Sequence, residues 1–188
     1  MWLNEITRAD FVRFIEVTGY DAPGFNPNYA KEAPNLPITG ILGEDAVAYC
    51  EWGGMRLPTE AEWKKTARGI DGRKYAWGDQ WDPVLTNSRE SGNAKLLPVG
   101  SIPEGASPYG LLDMMGNAAE WLADYFDFDY YKVAPNHNPQ GPGIIMDHTI
   151  RGGSYWSPAY LVTTYMRDSS HSVHPYPRVG FRCAKSAN

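Results

Sequence analysis

Apolar residues in the first 70 positions recur with the 3.6-residue period of an α-helix. The clearest helix start is Thr59, which can cap a helix while Glu62 completes a capping box. Trp63 and Ala67 then lie one turn apart on the same face. Signals of this kind predict three helices: Thr7 to Gly19, about Glu44 to Trp52, and Thr59 to Gly69.

After Gly69 the pattern changes to short apolar pieces separated by turn residues. Helices followed by strands are typical of an α+β fold rather than of alternating βαβ units. With no repeat and no convincing linker, residues 1–188 are predicted to form a single domain, with helices in 7–69 and short strands and loops in 70–188. The predicted strands or extended pieces are Lys74–Trp77, Leu96–Val99, Tyr109–Met114, Glu120–Tyr125, Thr149–Tyr155, Leu161–Met166 and Arg178–Ala184.

The composition favours large rings held by many turns, with seven Trp, twelve Tyr and six Phe beside 19 Gly and 15 Pro. A net charge of −5 argues against nucleic acid as a partner. No apolar stretch approaches the ~20 residues of a membrane span, so membrane insertion is not expected. Four tryptophans are predicted to be core rings: Trp52, Trp63, Trp77 and Trp121.

The first residues, Met1 to Glu5, lack the basic start and apolar stretch of a secretory signal. A cytoplasmic location is the default expectation, with display on a virion or cell surface as the alternative. The two cysteines, Cys50 and Cys183, are too few for a disulfide framework. Two separate buried thiols are the favoured interpretation, and a disulfide between them is left open.

Five motifs occur in series along the chain: Arg56–Trp63, Tyr75–Gly78, Tyr109–Asn117 with Glu120–Trp121, Arg151–Ser154 and Gly180–Arg182. Together they resemble the formylglycine-generating-enzyme-like (sulfatase-modifying-factor) family. The resemblance implies a C-type-lectin-like fold, with a small twisted antiparallel sheet, two or three helices and long irregular loops.

The sequence departs from the enzymes of this family where their chemistry is carried. In those enzymes a cysteine pair that holds copper and performs the oxidation follows the Arg-Gly-Gly-Ser strand. Residues 154–177 of this chain contain no cysteine, and thiolate chemistry needs a thiolate. The chain is therefore predicted not to be an enzyme and to require no cofactor.

Residues 154–177, called the C-terminal segment below, hold four Tyr, five Ser, two His, two Thr and one Trp. This composition is typical of a paratope. Within the family it most resembles the variable proteins of diversity-generating retroelements, which bind ligands through a diversified C-terminal segment. The predicted contacts for a protein or glycan ligand are Trp156, Ser157, Tyr160, Thr164, Asp168, Ser170, His171, Ser172, His174 and Tyr176.

Two further predictions concern the support of this segment. Val162 and Arg167 are expected to be scaffold positions, with Arg167 pairing a buried carboxylate or carbonyl. Asn117 and Glu120 are candidate ligands of a structural calcium ion, as the family resemblance implies. The alternative, that they cap a turn and fix the loop by hydrogen bonds, is slightly preferred.

A metal held by His171 and His174 is disfavoured, because the spacing is wrong for a strand face and Pro175 breaks a helix. Two other functions stay open beside ligand binding. One is an oxidase domain like the formylglycine-generating enzymes or sulfoxide synthases, or an inactive subunit of one. The other is a structural adaptor in a larger assembly.

Overall fold

Helices occupy the first part of the chain and strands the last part, as predicted. The computed structural model describes residues 1–143, 147–171 and 173–186. The helices are α1 (Arg8–Thr18), α2 (Pro27–Glu32), α3 (Gly43–Trp52) and α4 (Glu60–Arg68). The strands are β1 (Ala119–Tyr125), β2 (Asp147–Arg151), β3 (Asp168–His171) and β4 (Val179–Gly180).

Local capping signals set the helix starts. The Thr59 hydroxyl accepts a hydrogen bond from the Glu62 amide at 3.2 Å, and the Glu62 carboxylate accepts one from the Thr59 amide at 2.9 Å. Thr7 caps α1 in the same reciprocal way. The three predicted helices are thus confirmed within one or two residues. Helix α2 was missed, although Asn26 caps it and Pro27 occupies its first turn.

The four strands form one sheet in the order β3-β2-β1-β4. Pairs β1–β2 and β2–β3 are antiparallel, as expected, but β1–β4 is parallel, so the sheet is mixed rather than wholly antiparallel. Three of the four strands were anticipated in part, because the predictions at 120–125, 149–155 and 178–184 overlap β1, β2 and β4. The other four predicted pieces are turns or irregular loops, and β3 was not predicted.

Large rings fill the interior on both sides of the sheet. One cluster packs α1 and α3 against the sheet through Phe11, Tyr49, Trp121 and Phe181. A second gathers around Trp63 and includes Leu122 and Val162. Trp63 and Trp121 are fully buried, as predicted.

Two of the four tryptophans predicted for the core do not lie fully inside it. Trp52 is the last residue of α3 and is 43% exposed, although its ring contacts Phe14 and Tyr49. Trp77 is half-buried and stacks on Tyr75. In the described part of the chain, no helix is long and apolar enough to cross a membrane.

Cys50 and Cys183 form a disulfide, which corrects the prediction of two free thiols. The bond joins α3 to the end of the chain across 133 residues, and both residues are fully buried in the first core cluster. Spacing along the sequence could not reveal a contact that only the folded chain makes.

Candidate ligand-binding site

The C-terminal segment leaves β2 through a turn that only glycine tolerates. Gly152 and Gly153 have φ of 90° and 70°, in the left-handed region. A Cβ on Gly152 would lie 3.1 Å from the Met114 carbonyl oxygen and 3.4 Å from the Trp63 ring. The turn therefore lets the chain pass close to the core before it reaches Ser154.

The backbone of the segment is tied to the scaffold at several separate points. Because these bonds use main-chain atoms, they do not depend on which side chains the segment carries. The donor–acceptor pairs are Tyr155 N–Asn117 O (2.9 Å), Arg89 N–Ser157 O (3.1 Å), Thr164 N–Lys74 O (2.9 Å) and Gly40 N–Tyr176 O (3.1 Å).

A buried ion cluster lies beneath the middle of the segment. Glu60, at the start of α4, pairs with Arg151 of β2 and with Arg167 of the segment, at 2.6 Å and 2.7 Å. This confirms that Arg167 is a scaffold residue paired with a buried carboxylate. Arg151 also donates to the carbonyls of Thr164 and Met166, at 3.2 Å and 2.9 Å.

Burial sets the electrostatics of this cluster. It lowers the pKa of Arg151, against the opposing attraction of Glu60. It also raises the pKa of Tyr131 to about 12, and the negative charge of Glu60 acts in the same direction. Both shifts have the same physical cause, which is the burial of Glu60 and Arg151 beneath the segment.

Both ends of the segment border a cavity of about 320 Å³, called the segment cavity below. Three predicted contact residues, Ser157, Asp168 and Tyr176, lie in its lining. Arg178 lines it too, and its guanidinium lies 5.3 Å from the centre of the Trp156 ring. The lining of the cavity thus combines hydroxyls, one aspartate and two arginines, Arg151 and Arg178, with aromatic surface.

The predicted contact residues lie at varying depth. Trp156, Tyr160 and Tyr176 are 47%, 70% and 37% exposed. Asp168 and His174 are also exposed, while Ser157 and His171 are half-buried. Tyr160, His171 and His174 do not line the segment cavity. Ser172 lies outside the described residues.

Two predicted contacts are wrong because their side chains point inward. Thr164 is fully buried, and its hydroxyl donates to the Arg73 carbonyl at 2.7 Å. Ser170 is 4% exposed and lies on the inner face of β3. Two candidate contact residues were not predicted: Tyr165, which is 52% exposed, and Arg178, which lines the segment cavity. The high tyrosine content of the segment could have indicated Tyr165.

Asn117 and Glu120 are engaged with donors rather than arranged as free oxygen ligands. Both Glu120 oxygens accept from Arg182, at 2.7 Å and 2.8 Å, and one also accepts from the Trp63 indole at 2.9 Å. The Asn117 oxygen accepts from Asn87 and from the Leu97 amide, each at 3.0 Å. These contacts fit the alternative of a hydrogen-bonded turn, and the residues do not fit a calcium site in this arrangement.

The residues likewise do not fit a copper site built on paired thiolates, because both cysteines of the chain belong to the buried disulfide. The two histidines considered above as metal ligands, His171 and His174, have ring centres 5.4 Å apart. Within the described residues no three His, Cys, Asp or Glu side chains come together as a metal-binding group.

Fold and site together define a lectin-like α+β domain with a supported C-terminal loop surface. The chain belongs to the family of sulfatase-modifying factor enzyme 1-like domains, whose model matches residues 1–187.

Formylglycine-generating enzyme of Streptomyces coelicolor is 38% identical over 173 residues, which cover 82% of this chain and 54% of that protein. The mouse protein named inactive C-alpha-formylglycine-generating enzyme 2 is 35% identical over 175 residues, covering 84% and 51%. This chain thus spans about half the length of these relatives.

Solved structures share the fold at low sequence identity. PvdO from Pseudomonas aeruginosa has a TM-score of 0.79 and 22% identity, over 95% of this chain and 76% of that one. Treponema denticola variable protein 1 has a TM-score of 0.72 and 18% identity, over 94% and 80%. The expected fold, of the formylglycine-generating and C-type-lectin-like kind, is confirmed.

Proposed function

We propose that this chain is a non-catalytic ligand-binding module that presents the surface of its C-terminal segment to a protein or glycan. In this proposal the exposed rings of Trp156, Tyr160 and Tyr176 provide contact area. Ser157 and Asp168 provide hydrogen bonds beside the segment cavity. Large rigid rings with small polar neighbours suit such recognition, since few rotamers are lost on binding.

One observation carries the proposal: the segment is fixed by its backbone while its aromatic side chains remain exposed. Main-chain bonds to Asn117, Arg89, Lys74 and Gly40 hold its path, and the Glu60 cluster supports it from below. The exposed side chains of the segment can therefore vary without loss of the scaffold, as a diversified binding surface requires.

Two further points support a non-catalytic role. Neither cysteine is available as a thiolate, because the disulfide holds both in the core. The family also includes a member named as inactive, and a structure named as a variable protein shares the fold. Diversification of this particular segment is part of the proposal.

The test compares two triple variants that remove similar exposed rings. The first is Trp156→Ala, Tyr160→Ala and Tyr176→Ala. The matched control is Trp2→Ala, Tyr109→Ala and Phe128→Ala, whose side chains are 44%, 52% and 83% exposed elsewhere. The wild type is screened on a printed glycan array and a phage-displayed peptide library to obtain a probe.

The first triple variant should lose at least roughly a hundredfold in affinity for that probe, since aromatic anchors contribute about 1–3 kcal/mol each at interfaces. The control should bind as the wild type does. Both should unfold within about 1 kcal/mol of the wild type. A collapse of stability in the first variant alone would show that the segment is core and would contradict the proposal.

The second candidate function is an oxidase like the formylglycine-generating enzymes, favoured by the 38% identity to one of them. Oxygen uptake with a cysteine-containing peptide and added copper would test it. We expect no uptake above that of the Cys50→Ala, Cys183→Ala variant. Turnover that depends on the two cysteines would overturn the non-catalytic proposal.

A further inference from the structure

A second, larger cavity of about 590 Å³ lies beside α1 and α2, and is called the α1 cavity below. Its wall includes Arg8, Phe25 and Tyr29 from the helical part of the chain. Lys95 and Tyr155 also line this cavity. It is distinct from the segment cavity, and none of the predicted contact residues lines it.

Arg8 is an unusual residue to find in this wall. The residue is only 6% exposed, and within the described residues its guanidinium forms no hydrogen bond and no ion pair. Its nitrogens are nevertheless not fully enclosed, so they remain open to the cavity. The guanidinium carbon lies 4.6 Å from the centre of the Tyr29 ring. Arginines this deeply buried are normally paired with a carboxylate or with carbonyls.

The position of Arg8 in its helix adds to the free-energy cost of burying its charge. It is the first residue of α1, where the helix dipole is positive and disfavours a cation. The other two deeply buried arginines of the chain, Arg151 and Arg182, each pair with a glutamate. Within the described residues, Arg8 is a cation that pairs with no carboxylate and faces a cavity, and a local conflict of this kind is expected at a functional site.

The charge of the cavity is opposite to that of the protein as a whole. The chain has a net charge of −5, but the described residues of this wall include two cations, Arg8 and Lys95, and no carboxylate. The remaining wall is largely apolar, with Phe25 held against Phe11 at a ring distance of 5.1 Å. An anion with an apolar or ring-shaped body would match both features.

We propose that the α1 cavity binds a small organic carboxylate, whose anionic oxygens accept hydrogen bonds from the Arg8 guanidinium while its body packs over Phe25 and Tyr29. Arginine presents a planar fork that suits a carboxylate, and stacking on Tyr29 leaves the edge of that fork free to donate. This site goes beyond the proposed function and does not depend on it.

Binding of four probes to the full chain tests the site by isothermal titration and by amide chemical shifts. Benzoate and glucuronate carry the carboxylate on an aromatic or a sugar body. Benzamide and glucose are their uncharged counterparts. We expect at least one carboxylate to bind saturably, at millimolar or tighter affinity, and its uncharged counterpart to bind roughly tenfold more weakly or not at all.

Variants of two arginines on the same helix localise the effect. Arg8→Gln should weaken carboxylate binding roughly tenfold or more. Arg13→Gln, on the exposed face of α1, should leave it unchanged. Lys95→Gln should weaken it a few-fold, as expected of an exposed charge. The thermal midpoint of Arg8→Gln should change little, because within the described residues the substitution removes only the contact with the Tyr29 ring.

Three results would overturn the proposal. One is that neither carboxylate binds up to about 10 mM. Another is that Arg8→Gln binds as the wild type does. The third applies if Arg8→Gln does not fold. In that case the proposal is contradicted if Lys95→Gln binds the carboxylate as the wild type does and if the affinity of the wild type does not depend on salt concentration. Salt should weaken the binding, because it screens the attraction between charges. The triple variant of the C-terminal segment should retain carboxylate binding, which separates the two proposals.

Discussion

Arg167 and Glu60 form a two-point ion pair, with Arg167 Nε 2.7 Å from Glu60 Oε1 and Nη2 2.9 Å from Oε2. The pair joins the C-terminal segment to the first residue of α4. Arg151 of β2 shares the same carboxylate. One buried acidic residue therefore fixes a helix, a strand and the segment that we propose to bind a ligand.

Substitution Glu60→Gln should lower the free energy of unfolding by about 3–5 kcal/mol, because it leaves Arg151 and Arg167 without a counter-charge. Arg167→Gln should cost less, about 1–3 kcal/mol, since Glu60 keeps Arg151 and Arg167 is partly exposed. Urea unfolding followed by tryptophan fluorescence measures both values.

The surface pair Lys31–Glu16 is the matched control, because its side chains are 55% and 57% exposed at a similar distance of 2.6 Å. Lys31→Gln should change stability by less than about 1 kcal/mol. If Glu60→Gln were as mild as Lys31→Gln, the cluster would not be the support described here.

The disulfide between Cys50 and Cys183 gives a second prediction. It closes a loop across 133 residues, so its removal should cost up to about 5 kcal/mol through the entropy of the unfolded chain. Dithiothreitol should lower the urea midpoint of the wild type and leave that of the Cys50→Ala, Cys183→Ala variant unchanged. Alkylation of two thiols in the unreduced, unfolded protein would contradict the bond.

What the sequence could predict was local or specific to the family. Thr7 and Thr59 mark helix starts through neighbours three residues away, so those helices were found. The motif series identified the fold, and Arg167 was recognised as a residue with a buried partner. Each of these features can be recognised from residues that are close together in the sequence, or from the motifs of a known family.

The parts that were missed depend on contacts between distant positions. Cys50 and Cys183 are 133 residues apart in the sequence and meet only in the folded chain. Thr164 reads as a surface residue among Tyr and Ser, but the carbonyl of Arg73 draws its hydroxyl inward. The Leu161–Met166 piece has the apolar content of a strand, yet Val162 is buried by loop packing without a strand partner. Burial, rather than pattern, decides these cases.

Asp124 gives a prediction on pH dependence. Burial raises its pKa from 3.8 to about 6, while the Glu60 amide donates to it at 2.6 Å. A carboxyl whose pKa is higher in the folded state binds its proton more tightly there. Its contribution therefore favours folding below about pH 4 and is lost as the pH rises through 6.

The expected size is at most about 3 kcal/mol across that range. Asp124→Asn should remove this part of the slope when urea unfolding is measured at several pH values between 4 and 7. Asp21→Asn, at an exposed position, should keep the slope of the wild type. An Asp124→Asn profile as steep as the wild type would show that other groups cause it.

The turn at Gly116 gives the last prediction, with Gly110 as its control. Both glycines have positive φ, 85° and 79°, so alanine meets similar backbone strain of about 1–2 kcal/mol at either. A Cβ at Gly116 would also press against the Asn87 carbonyl oxygen, whereas one at Gly110 meets nothing within 4 Å. Gly116→Ala should therefore cost about 1–3 kcal/mol more than Gly110→Ala in urea unfolding.

The turn carries Asn117, whose carbonyl accepts a hydrogen bond from the Tyr155 amide at the start of the C-terminal segment. Gly116→Ala should therefore also weaken probe binding. Equal losses of stability in the two variants would mean that the chain can open this turn without cost.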